Sequence, residues 1–77
     1  MTNELSQSLY QIYMESLETN IIAYLAEILQ IDIRKAVHIY YNSLMCSQIH
    51  EGSYGIQYLD YKNLAEDIVE NEIKNIP

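Results

Sequence analysis

Seventy-seven residues, 49% of them apolar, allow one small domain whose core must be well packed or partnered. Eleven acidic against four basic side chains leave a net charge of −7. That weighs against a phosphate backbone, which requires clustered Lys and Arg, and suits a protein partner, a basic one by charge. The single cysteine, Cys46, excludes an intramolecular disulfide; with neither a basic-then-apolar leader nor a run of about 18 apolar residues, the expectation is a cytoplasmic protein without membrane association.

Apolar residues at Leu5, Leu9, Ile12, Leu17, Ile21, Tyr24 and Ile28 step by three to five, drawing one stripe down a helix that starts after the cap candidates Thr2 or Asn3. Unbroken over residues 4–30, it would be about 40 Å long, more than a compact domain of this size covers by itself. Two solutions stay open. The helix breaks near Thr19 and Asn20, or its N-terminal half packs against a second copy of the chain. From Ile21 a second apolar row, Ile22, Leu25 and Leu29, widens the buried arc. This divides the chain into an N-terminal helical extension, residues 1–20, and a single small helical domain, residues 21–77.

Asp32 stands where an N-cap is wanted, and Ile33, Val37, Tyr40, Tyr41 and Leu44 resume helical spacing, so residues 25–43 read as a helix-turn-helix-like corner. Ser43 can cap a short helix carrying Leu44, Cys46 and Ile49, which Gly52 ends. Tyr54, Ile56 and Tyr58 then alternate strictly, predicting a short extended segment over residues 53–59. Asp60 opens a last helix with Leu64, Ala65, Ile68, Val69, Glu72 and Ile73 along its inner face and Glu66, Asp67 and Glu70 on the wet one, and Pro77 closes the chain. The expected fold is all-α, a small bundle of three to four helices.

Ile22, Leu25, Ala26, Leu29 and Ile31, then Ala36, Tyr40, Tyr41 and Ser43, then Cys46, Gly55, Tyr58, Leu59 and an acidic closing helix form a pattern. It resembles a family of short bacterial proteins without an assigned activity, over about residues 21 to 72. Such small acidic helical proteins occur among toxin-antitoxin and mobile-element genes, so the resemblance implies an antitoxin-like or regulatory binding role.

The chemistry-bearing residues are few. Cys46 and His50, four apart on one helix face, could begin a metal site or pair a thiol with a base. Two ligands do not make a site, the other histidine, His38, lies one helix earlier, and no third orienting group stands out. No metal, cofactor or catalytic residue is therefore assigned, and the protein is expected not to be an enzyme. The carboxylates Glu66 and Glu70 read as a solvated helix face. Arg34 and Lys35 occupy the start of the helix after the corner, where a recognition helix would meet DNA. Beside Asp32 in an acidic chain, they support nucleic-acid contact only weakly.

Eight tyrosines supply every aromatic ring. Tyrosine suits positions apolar on one side and wet on the other, as interfaces are. Tyr24 and Tyr40 lie on apolar stripes and read as core, whereas Tyr54, Tyr58 and Tyr61 surround the glycine-containing loop as a candidate partner-binding patch. Tyr10 and Tyr13 lie on the extension, where only a partner or a second chain would bury them. The leading function is a non-enzymatic protein-binding module, with homo-oligomer formation through the N-terminal helix as one form of it. A DNA-binding regulator is the alternative, and a small thiol- or metal-dependent enzyme the third.

Overall fold

The computed structural model describes residues 2–73, with side chains except those of residues 2–7, 53 and 54. The side chains of the cap candidates Thr2 and Asn3, of the stripe residue Leu5 and of Tyr54, and the terminal Pro77, thus lie outside what is described. Four α-helices follow one another: α1 (Thr2–Leu29), α2 (Ile33–Tyr41), α3 (Leu44–Glu51) and α4 (Tyr61–Ile68), the last continuing into a π-helical turn, Val69–Ile73. Among the described residues there is no strand, and the molecule is a small all-α bundle.

Helix α1 is one continuous rod of 28 residues, unbroken at Thr19 and Asn20. It sets the long dimension of a molecule measuring 49 × 24 × 19 Å. Helices α2 and α4 pack chiefly against α1. Leu17, Ile21, Ile22 and Leu25 of α1 meet Ala36 and Tyr40 of α2, Met45, Cys46 and Ile49 of α3, and Leu64, Ala65, Ile68 and Val69 of α4 in one core. Met14 packs on its edge. Met14 and Leu17, on the N-terminal side of residue 20, are therefore part of the bundle's packing, while Leu9 and Ile12 remain exposed.

The corner after α1 closes by backbone geometry. Gln30 adopts φ +55, the Gln30 amide donates to the Glu27 carbonyl and the Ile31 amide to the Ala26 carbonyl. This is the Schellman arrangement, which satisfies carbonyls that the last helical turn leaves open. Asp32 then caps α2, its Oδ1 accepting from the Arg34 amide at 2.7 Å. At the next junction the Ser43 hydroxyl accepts from the Cys46 amide at 3.0 Å and donates to the Tyr40 carbonyl at 2.6 Å, tying both helices to one buried oxygen. Gly52, at φ +70, ends α3 in the left-handed conformation that glycine adopts without a Cβ clash. Asp60 caps α4 through the Lys62 amide.

One predicted element is corrected. The stretch Ser53–Tyr58 is a 3-10 helix, not an extended segment. With three residues per turn only about one position in three faces inward. That position is Gln57, which is buried, while Tyr58 points out and Ile56 is half-buried. The alternation of apolar residues reflected where they fall in sequence, not a pleat.

Candidate functional site

Helix α1 carries Glu18 on the same side as Ile21, Ile22 and Leu25, an acid set into an apolar arc. Its side chain is only 12% exposed. The carboxylate is held by two groups from elsewhere in the chain: the Tyr40 hydroxyl donates to Oε2 at 2.8 Å, and His50 Nε2 lies 2.7 Å from the same oxygen. Cys46, one turn before His50 on α3, is buried beside them. A carboxylate oxygen of Glu18, the thiol sulfur and a ring nitrogen of His50 all lie within 4.8 Å of one another.

The electrostatics of this cluster hold protons in place. Burial, then the hydrogen bond to Glu18 and that residue's charge, push the Tyr40 phenol far above its ordinary range. Burial also pushes the Cys46 thiol up, opposed by the Tyr40 hydroxyl and reinforced by Glu18. A buried, protonated thiol is a poor nucleophile at neutral pH, so Cys46 and His50 do not resemble an activated cysteine and its base. His50 stands at the edge, 55% exposed, beside a cleft of about 410 Å³ lined by Tyr10, Gln11, Met14, Glu15, Glu18 and His50. Glu18 is the third group that sequence spacing did not reveal. It lies 32 residues from His50, and the only local signal was an acid on the face of Ile21, Ile22 and Leu25.

Of the tyrosines expected around the glycine-containing loop, Tyr58 meets Tyr13 of α1 and Tyr61 meets Tyr24 of α1. The Tyr13 hydroxyl donates to the Gln57 carbonyl at 2.8 Å, and its ring lies 5.9 Å from that of Tyr58. Tyr13 therefore has contacts within its own chain, yet Tyr10, Tyr13 and Tyr58 all remain exposed, Tyr58 by 66%. Tyr61 sits elsewhere, edge-on to Tyr24 at 5.9 Å, with the Lys62 ammonium 5.9 Å from the centre of the Tyr24 ring. It is a half-buried member of the packing between α1 and α4.

Helix α2 presents an apolar surface that the sequence alone does not separate from its core face. Ala36 and Tyr40 are fully buried against the bundle. Ile33, Val37 and Tyr41 recur every four residues on the outer side, and with Leu44 just past the next turn they are 37 to 63% exposed. Arg34 and Lys35 are exposed near the start of the same helix, with Asp32 at its cap. Among the described residues no helix is long and apolar enough to cross a membrane. Compared with protein-family models, curated proteins and solved structures, the chain has no match.

Proposed function

We propose that the protein is a non-enzymatic protein-binding module whose contact face is the outer side of α2. The observation that carries this reading is the exposed row Ile33, Val37 and Tyr41 with Leu44 beyond it. Four large apolar side chains left in water beside a well-filled core mark a surface meant to be covered, and their helical spacing matches the anchors of a helix laid against a groove or another helix. The net charge of −7 favours a basic partner for the protein as a whole. The resemblance to short bacterial proteins of toxin-antitoxin neighbourhoods supports an antitoxin-like or regulatory form of this role. Tyr10, Tyr13 and Tyr58 offer a second exposed surface at α1, suited to self-association.

A charge placed in the row tests the proposal. Val37→Glu leaves Ala36 and Tyr40 in their contacts, so the variant should keep its fold by circular dichroism. Sedimentation and affinity capture from host extract should then show wild-type complexes that the variant fails to form. Identical sedimentation as monomers, with the same proteins retained by both, overturns the reading. The DNA-binding alternative rests on Arg34 and Lys35, which share their helix with this apolar surface, and gains no added support.

A further inference from the structure

We propose that Glu18, Cys46 and His50 form a binding site for one transition-metal dication, with zinc the best chemical match. The three side chains supply one oxygen, one sulfur and one nitrogen donor, brought within 4.8 Å of one another from α1 and α3. A thiolate and an imidazole favour zinc, cobalt or copper over magnesium and calcium, which take oxygen ligands.

Metal-ligand distances of about 2.0 to 2.3 Å in a tetrahedron separate neighbouring donors by about 3.3 to 3.7 Å. The Glu18 and His50 atoms, 2.7 Å apart, must open by about 0.6 Å, and the wider separations, at most 4.8 Å, must close by up to about 1.3 Å. The exposed imidazole of His50 has room to make that adjustment. Tyr40 supplies the support that metal-bound carboxylates commonly have, a hydrogen bond that orients Glu18 at the same oxygen that meets His50. The cleft lined by Glu18 and His50 gives those two donors access to solvent. On binding, the S–H bond of Cys46 breaks, its proton passes to solvent and the sulfur electron pair forms the bond to the metal. The proton between His50 Nε2 and Glu18 also leaves, to solvent or by tautomer exchange to Nδ1, and their hydrogen bond is exchanged for two metal bonds.

Titration of the full chain with Co²⁺ reads the site directly. The wild type should bind one ion per chain and show both the sulfur-to-cobalt charge-transfer band and the intense visible bands of four-coordinate cobalt, with Zn²⁺ displacing it. His50→Ala, at an exposed position, should keep the helical circular dichroism and weaken binding at least a hundredfold. Cys46→Ser should abolish the charge-transfer band. Tyr40→Phe should weaken binding by about ten- to a hundredfold, the usual effect of losing an outer hydrogen bond to a ligand. Absence of the charge-transfer band in the wild type overturns the proposal, as does cobalt binding that His50→Ala leaves unchanged.

Discussion

The Tyr40 hydroxyl donates to the Glu18 carboxylate across 2.8 Å, joining α2 to α1 through a phenol that is fully buried. Tyr40→Phe removes the donor and leaves a largely buried carboxylate oxygen with one partner fewer. The expected cost is about 1.5 to 3 kcal/mol in urea denaturation at neutral pH. The pH dependence follows from the same burial. In the unfolded chain Cys46 ionises near 9.0 and Tyr40 near 10.0, whereas in the folded chain burial raises both. Their contribution to stability is fully present below those values and is lost as pH rises from about 9 toward the higher folded values. Wild-type melting temperature should fall on this alkaline side, and Tyr40→Phe should fall less steeply above pH 10. Parallel alkaline curves for the two proteins would refute this assignment.

The start of α3 is satisfied from two directions. Ser43 accepts from the Cys46 amide, and the Glu72 carboxylate accepts from the Leu44 amide at 2.7 Å and the Met45 amide at 3.1 Å. Ser43→Ala should cost about 1 to 2 kcal/mol, the range of a lost N-cap, because the hydroxyl also serves the Tyr40 carbonyl. Glu72→Ala should cost about 1 kcal/mol, since a negative side chain at a helix N-terminus interacts with its dipole as well as its amides. Chemical denaturation of both single variants and the double variant checks this. They share one helix end, so the double variant should depart from additivity, and strict additivity would count against a shared cap.

Gln30 occupies a left-handed position that favours glycine. Gln30→Gly should raise stability by about 0.5 to 1 kcal/mol, the strain relieved outweighing the extra freedom of the unfolded glycine. A lower midpoint in urea for this variant would show that the Gln30 side chain makes a contribution larger than its backbone strain.

Much of the fold was legible because its boundaries are made by local chemistry. Asp32, Ser43 and Asp60 each cap the helix expected of them, and Gly52 ends α3. Long-range facts were not legible. Whether α1 breaks at Thr19 and Asn20 depends on Leu17 joining the core, and which side of α2 faces inward depends on Ala36 allowing close approach and Tyr40 finding Glu18. Over residues 53–58 three alternating apolar residues fit a pleat by count, while Gly52 and Gly55, both at positive φ, coil the chain into a 3-10 helix instead. Part of the candidate site was visible in the spacing of Cys46 and His50. Its third member was hidden by the 32 residues between Glu18 and His50.

Glu72 gives the bundle a direction in time. Leu44 and Met45 leave the ribosome 28 and 27 residues before the carboxylate that accepts their amides. Until then the first turn of α3 has Ser43 as its local cap and must leave those two donors to water. Completion of the middle of the molecule is thus deferred to the arrival of its last described turn, and α3 gains its full set of partners only when α4 has docked.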